Sequence, residues 1–383
     1  MDISSKKIIS FIRDLYQTKD SIPLHSPVFH GNEKKYVLDT IDTTFVSSIG
    51  EYVDKFELQI KNYTNSSRAI ATVNGTSALH LGLNAAGVSK GDYVITQSLT
   101  FVATCNAINY TGAEPIFCDI SKVSLGLCPK SVDIYLEENA VLQGDYCLHK
   151  ETGRRIAAIV PMHTYGHPVE LDEFVNLSKK WNIQLIEDAA ESFGSFYKGK
   201  HTGTFGRFGC LSFNGNKIIT TGGGGMVLCK EIFDGDLIKH ISTTAKIPDQ
   251  LFMSHDLVGY NYRMPNINAA LGCAQIESIE SYINAKRGIA MKYEEFFHNS
   301  NFEFVSEPEY ARSNYWLNTI LCPDYDSMKF LVECSNSEGV MTRPAWGLMH
   351  KSKMYLSAFR GNLSVTEDYG NRIVNLPSSV LDL

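Results

Sequence analysis

Between residues 68 and 229 short apolar runs alternate with segments of helical period. "RAIATV" (68–73), "DYVITQ" (92–97), "EPIFCDI" (114–120), "AAIVPMH" (157–163) and "IQLIED" (183–188) have the length and composition of buried strands. "TSALHLGLNAAG" (76–87), "FVATCNAINYTG" (101–112) and "LDEFVNLSKKW" (171–181) read as the helices between them. "CLSFN" (210–214) and "GMVLC" (225–229) add two further strands. This alternation restricts the fold to an α/β architecture with a mainly parallel sheet, because each helix carries the chain back to start another strand. Ligands of such sheets bind beyond the C-terminal ends of the strands. The loops that matter are therefore "NGTS", "LTF", "HTYGH", "EDAAES" and the stretch "SFNGNKIITTGGGG" (212–225).

A chain of 383 residues exceeds what one core supports, so two lobes are expected. The pattern turns helical near residue 255 and mixed after 300. It predicts an N-terminal arm and large α/β domain over 1–250 and a smaller α+β domain over 251–383. A net charge of −7 gives no general attraction to nucleic acid or anionic membrane. No apolar run approaches the roughly 20 residues that span a bilayer. The first residues, "MDISSKKIISFIRDLYQ", mix charges with apolar positions, unlike a signal peptide; Ile8, Ile9, Ile12 and Leu15 share one helical face. Nine cysteines without a C-x-x-C pair argue against a disulfide framework and against a structural zinc site. A cytoplasmic protein without a metal is expected.

Three loops could carry chemistry. "VNGTSALHL" passes from a strand through a small polar turn into a helix. Its free N–H groups and the Thr76 and Ser77 hydroxyls suit a phosphate, and equally suit a plain helix cap. "LIEDAAES" ends a buried strand with Glu187, Asp188 and Glu191, which could face a ligand or simply cap and solvate the turn. Lys217 follows another apolar strand. In a partly desolvated pocket it would be an amine nucleophile; otherwise it is an exposed turn lysine. The glycines after it form neither a phosphate-binding P-loop, whose lysine follows its glycines, nor a dinucleotide fingerprint, which opens a helix. A phosphate site, a carboxylate for a pyridinium nitrogen and a lysine able to condense with an aldehyde together fit one cofactor, pyridoxal 5'-phosphate.

These stretches, with "IPLHSPVFHGNEKKYV", "TFVATCNAI", "VPMHTYGHP", "GSFYKGKHTGTFG", "GYNYRMPNINAALG" and "TRPAWGLMH", run nearly end to end. The sequence resembles the DegT/StrS family of fold-type I enzymes, sugar aminotransferases that act on nucleotide-linked keto sugars. The resemblance implies a seven-stranded, mainly parallel sheet in the large domain. It implies that Lys217 holds the cofactor covalently and that Asp188 pairs with its ring nitrogen. Phe101 would stack on the ring, and Thr76, Ser77 and Ser212 would bind the phosphate. Asn261, with Arg263 nearby, would reach the phosphate of a neighbouring subunit, giving a homodimer with composite sites. Glu191 stands beside the cofactor's phenolic oxygen, where many relatives carry His or Gln. Arg343, His350 and His163 are the candidates for the sugar nucleotide. Within the family, "NGNKIITTGGGG", "HISTTAK" and "RRIAAIVPMHTYGHP" resemble the legionaminic acid and bacillosamine branch. That branch uses L-glutamate to aminate C4 of UDP-2-acetamido-2,6-dideoxy-4-keto-hexose, with pyridoxamine phosphate as the alternate cofactor form. Relatives that make GDP-perosamine from GDP-4-keto-6-deoxymannose share the motifs. A non-catalytic, cofactor-binding regulator is the third reading, and the presence of Lys217 weighs against it.

Overall fold

The computed structural model describes residues 4–248 and 254–381. The central sheet has seven strands: β1 (Arg68–Thr72), β2 (Tyr93–Gln97), β3 (Glu114–Cys118), β4 (Ile156–Val160), β5 (Gln184–Asp188), β6 (Phe208–Ser212) and β7 (Gly225–Cys229). Their spatial order is β1-β7-β6-β5-β4-β2-β3, and β7 alone runs antiparallel to its neighbours. The α/β class and mainly parallel sheet are as expected from the alternating pattern. Both faces of the sheet are covered, which explains why its strands read as continuous apolar runs. Along β7, Met226 and Leu228 enter the core that holds Phe56 and Phe213, while Val227 and Cys229 enter the core that holds Leu79 and Ile186.

The register sets the site. Gly225 pairs with both Thr72 and Ser212, and Cys210 pairs with Asp188. The C-terminal ends of β1, β5 and β6 therefore share one rim. β7 enters the sheet from that same rim, between β1 and β6. The segment between Lys217 and Gly225 must turn and pass under the loop after β1. Gly222 takes the left-handed φ of +77° that the turn requires. A Cβ on Gly225 would lie 2.4 Å from the Asn74 carbonyl oxygen. Gly225, the last of the run, thus sits at a close crossing of two backbones.

The smaller lobe is built on a four-stranded antiparallel sheet, in the order Glu303–Phe304, Asn318–Leu321, Ile373–Leu376, Arg343–Pro344. The division expected at residue 250 lies outside the described residues, and packing on either side of it differs from that expectation in two ways. The helix Asn266–Ile276 sends Ala269 and Cys273 into the same core as Phe56 and Phe213, so it belongs with the large sheet. The N-terminal helix Ser5–Tyr16 buries Ile8, Ile9 and Ile12 with Val340, Val374 and Leu376 of the smaller lobe. Helical period identifies which face is buried, and carries no information about the element that covers it. No helix among the described residues is long and apolar enough to cross a membrane. All nine cysteines are free, and most are buried.

Candidate active site

The loops at the shared rim enclose a cavity of about 320 Å³. Lys217, Asp188, Glu191, Thr76, Ser212 and Phe101 all line it. Asp188 and Ser212 end strands, Thr76 and Phe101 stand at helix starts, and Glu191 and Lys217 lie in the loops that follow β5 and β6. Asp188 is the last residue of β5 and is held from both sides: Thr104 Oγ1 donates to Oδ2 at 2.7 Å, and the Ala190 N–H donates to Oδ1 at 3.2 Å. Both donors are neutral, and burial raises the carboxyl above its ordinary range against the Thr104 hydrogen bond. Ser212 ends β6. Gly75 lies so close to it that a Cβ there would come within 2.9 Å of the Ser212 Cβ.

The helix Gly75–Ala85 opens onto the cavity with Gly75 and Thr76. The Asn74 side chain accepts from the Ser77 N–H at 2.8 Å, capping the helix. The N–H groups of the preceding positions have no acceptor within the helix and are aimed, with the positive end of its dipole, at the rim. Ser77 itself lies on the other side of Thr76, in an adjoining cavity of about 270 Å³ beside His80 and Tyr262.

Lys217 Nζ stands 3.5 Å from Glu191 Oε1 and 3.9 Å from the centroid of the Trp316 ring. Trp316 is fixed by its own N–H, which donates to the Asn216 carbonyl at 2.6 Å. Glu191 is buried, and its other oxygen accepts the Tyr165 N–H at 2.9 Å. Burial pushes its carboxyl up to about 7, while Lys217 and the Tyr165 N–H pull the other way. Phe101 is half exposed at the cavity wall and meets Trp346 edge to face at 6.3 Å. Trp346 in turn packs on Tyr165, 4.9 Å between centroids.

The donor set fits pyridoxal 5'-phosphate. A lysine amine, a buried carboxylate lacking a cationic contact, an exposed aromatic face and a helix start with open N–H groups surround one cavity of suitable size. A protonated ring nitrogen would supply the charge that buried Asp188 lacks, and a phosphate would satisfy the open N–H groups.

Other residues singled out in the sequence lie elsewhere. His163 is fully buried; its Nδ1 accepts the Val169 N–H at 3.3 Å and its Nε2 faces Glu187 Oε2 at 3.1 Å. Glu187 also accepts N–H bonds from Gly203, Phe205 and Gly206, so the pair pins the loop after β5 from beneath. His350 has Ser98 Oγ at 2.6 Å on one ring nitrogen and Glu367 at 3.2 Å on the other, and it lines a separate surface hollow with Arg360. Arg343 is exposed and donates to Asn336 and to the Thr342 carbonyl. None of the three lines the Lys217 cavity: protein partners occupy both ring nitrogens of each histidine, and neighbours in its own segment hold the arginine. Asn261 is exposed, bridged by backbone to Thr243, and Arg263 keeps a buried Nε without a partner. Thr104, Trp316 and Trp346 also line the cavity. Thr104 and Trp346 lie within "TFVATCNAI" and "TRPAWGLMH", whereas nothing in the sequence local to Trp316 marks it.

A family model described as the DegT/DnrJ/EryC1/StrS aminotransferase family matches residues 28–381. The chain belongs to this family. GDP-perosamine synthase of Escherichia coli O157:H7 is 37% identical over 357 residues, covering 93% of each chain. A putative pyridoxal phosphate-dependent aminotransferase, EpsN of Bacillus subtilis strain 168, is 35% identical over 93% of this chain and 90% of its own. Among solved structures, a DegT/DnrJ/EryC1/StrS aminotransferase of Brucella abortus superposes with a TM-score of 0.82 at 24% identity, covering 91% of this chain and 90% of that one, a likeness of fold. This member of the DegT/StrS family is accordingly a fold-type I aminotransferase that depends on pyridoxal 5'-phosphate.

Proposed function

We propose that the protein transfers the amino group of L-glutamate to C4 of a nucleotide-linked 4-keto-6-deoxy sugar, first of all UDP-2-acetamido-2,6-dideoxy-4-keto-hexose. The observation that carries the reading is the convergence of Lys217, Asp188 and the open start of the Gly75–Ala85 helix on one cavity. Lys217 would hold the cofactor covalently, and its amine, once free, would take the proton from the amine-bearing carbon of the donor and return one to the acceptor carbon. Asp188, held by Thr104, keeps the ring nitrogen protonated. Phe101 covers a ring face, and Thr76, Ser212 and the helix N–H groups hold the phosphate. The bound cofactor supplies the electron sink that makes the amine-bearing carbon acidic. Trp316 and Trp346 line the cavity, with Tyr165 packed on Trp346, and this aromatic wall would keep the reacting groups from bulk water. Asn261, exposed on this chain, serves the phosphate end of a second copy in a cytoplasmic homodimer. Ser77 supports that end through the Asn74 cap.

The UDP sugar is favoured by the likeness of "NGNKIITTGGGG", "HISTTAK" and "RRIAAIVPMHTYGHP" to the legionaminic acid and bacillosamine branch. A second reading, amination of GDP-4-keto-6-deoxymannose, is favoured by the relative at 37% identity, itself a GDP-perosamine synthase. A competition decides between them: purified protein, cofactor, glutamate and equal amounts of both keto sugars, with products read by mass spectrometry. Amination of the UDP sugar alone supports the first reading. Amination of the GDP sugar alone replaces it with the second. Conversion of neither discards both substrates.

A further inference from the structure

The contact between Lys217 and Glu191 has a function that anchoring alone does not explain. A lysine that is to attack a carbonyl must first lose a proton, since only the neutral amine has a lone pair to offer. The cavity contains two buried carboxyl groups. Asp188 has both oxygens engaged, by Thr104 and by Ala190. Glu191 has one oxygen tied to the Tyr165 N–H and turns the other toward Lys217 Nζ at 3.5 Å. That separation suits an ion pair, and catalytic contacts of this length in the free protein tighten when the ligand arrives. The Trp316 ring, 3.9 Å from Nζ, offers no proton acceptor, and His25, the other titratable group coupled to Lys217, is a weakened base because burial holds its imidazole well below the ordinary range.

We propose that Glu191 is the proton store of Lys217, taking the proton the ammonium must shed before its amine attacks and returning it when the amine is released. In the forward step an N–H bond breaks, its electron pair stays on nitrogen as the nucleophilic lone pair, and an O–H bond forms on Glu191. The charge of the pair is zero before and after, so no net charge has to be desolvated. The titratable groups around Glu191 are Lys217 from the loop after β6, Asp188 from the end of β5 and the Tyr165 phenol from the loop after β4. Lys217 favours the ionised carboxylate, whereas burial and Asp188 favour the neutral acid, which leaves Glu191 able to exist in both forms near neutrality. A glutamine could accept from Tyr165 equally well and could not take the proton.

The inference rests on Lys217 being the covalent anchor, and the experiment separates the two. Apo protein is mixed with pyridoxal 5'-phosphate, and growth of the visible absorption of attached cofactor is followed by stopped flow across the range from about pH 5.5 to 9, bracketing the Glu191 midpoint. Wild type, Glu191→Gln, Glu191→Asp and Lys217→Ala are compared, each checked for folding by thermal melting. In the wild type the attachment rate rises with a midpoint near that of the Glu191 carboxyl. Glu191→Gln attaches cofactor at least about tenfold more slowly at neutral pH, with its midpoint moved up by about one pH unit or more. Glu191→Asp restores part of the rate. A Glu191→Gln profile superimposable on the wild type overturns the proton store, even while Lys217→Ala shows no band. A band that persists in Lys217→Ala overturns the anchor itself.

Discussion

Lys217 Nζ lies 3.9 Å from the centroid of the Trp316 ring, so a lysine on the large sheet's rim is faced by an indole from the smaller lobe. Trp316 is 4% exposed and bonded to the Asn216 carbonyl. Trp316→Ala should therefore destabilise the protein by about 3–5 kcal/mol, the usual cost of deleting a buried aromatic. Trp316→Phe keeps a ring over the amine and loses one hydrogen bond, for about 1 kcal/mol. Urea unfolding of the two variants measures the difference.

Asp188→Asn should push stability and activity in opposite directions. The folded-state carboxyl is raised, so its favourable contribution exists below the unfolded value and is lost as pH rises through the folded one. Above that folded-state value the ionised group is a cost to the apo protein, and an amide that accepts from Thr104 removes the cost. In that range the apo variant should melt higher than apo wild type. Its turnover should fall by about 100-fold or more, because the ring nitrogen loses its anionic partner. Paired thermal melts and single-turnover assays test both halves.

Glu191 predicts a pH window. Its folded-state value of about 7 lies above the ordinary 4.5. Stability of the apo protein should therefore be highest below about pH 4.5 as far as this group is concerned, and decline toward pH 7 by about 3 kcal/mol. Glu191→Gln should flatten that part of the profile. Denaturant titrations of both proteins at stepped pH would show a common slope if Glu191 does not titrate there.

The glycine run gives a contrast within three residues. A Cβ on Gly225 would meet the Asn74 carbonyl oxygen at 2.4 Å, and the two strands beside it leave the backbone no room to retreat. Gly225→Ala should cost about 1–3 kcal/mol by overpacking. It should also weaken cofactor binding by displacing the helix start. On Gly223 the nearest atom would be at 3.9 Å, an ordinary contact, so Gly223→Ala should fold and bind as the wild type does. Equilibrium dialysis with the cofactor and thermal melting compare them.

Much of this was legible in the chain because the informative residues are local to the strands. β5 and β6 carry apolar residues into the core and end on polar ones, Asp188 and Ser212, and Lys217 lies in the short loop after Ser212. What the chain conceals is pairing at a distance. His163 ends a strand as a ligand-binding histidine would, yet Glu187 and Val169 occupy both its ring nitrogens. His350 is taken up by Ser98 and Glu367 in the same way. Trp316 reaches Lys217 across about a hundred residues, and no local pattern announces it. The large domain's reach to Ile276 was hidden for a related reason: the alanines of "NINAALGCAQI" suit burial against any neighbour.

The docking of the Ser5–Tyr16 helix on the strand Ile373–Leu376 joins segments far apart in the chain. Contacts of such long range form only after the intervening chain is ordered, so the apolar face of Ile8, Ile9 and Ile12 stays open in any folding intermediate whose smaller lobe is incomplete.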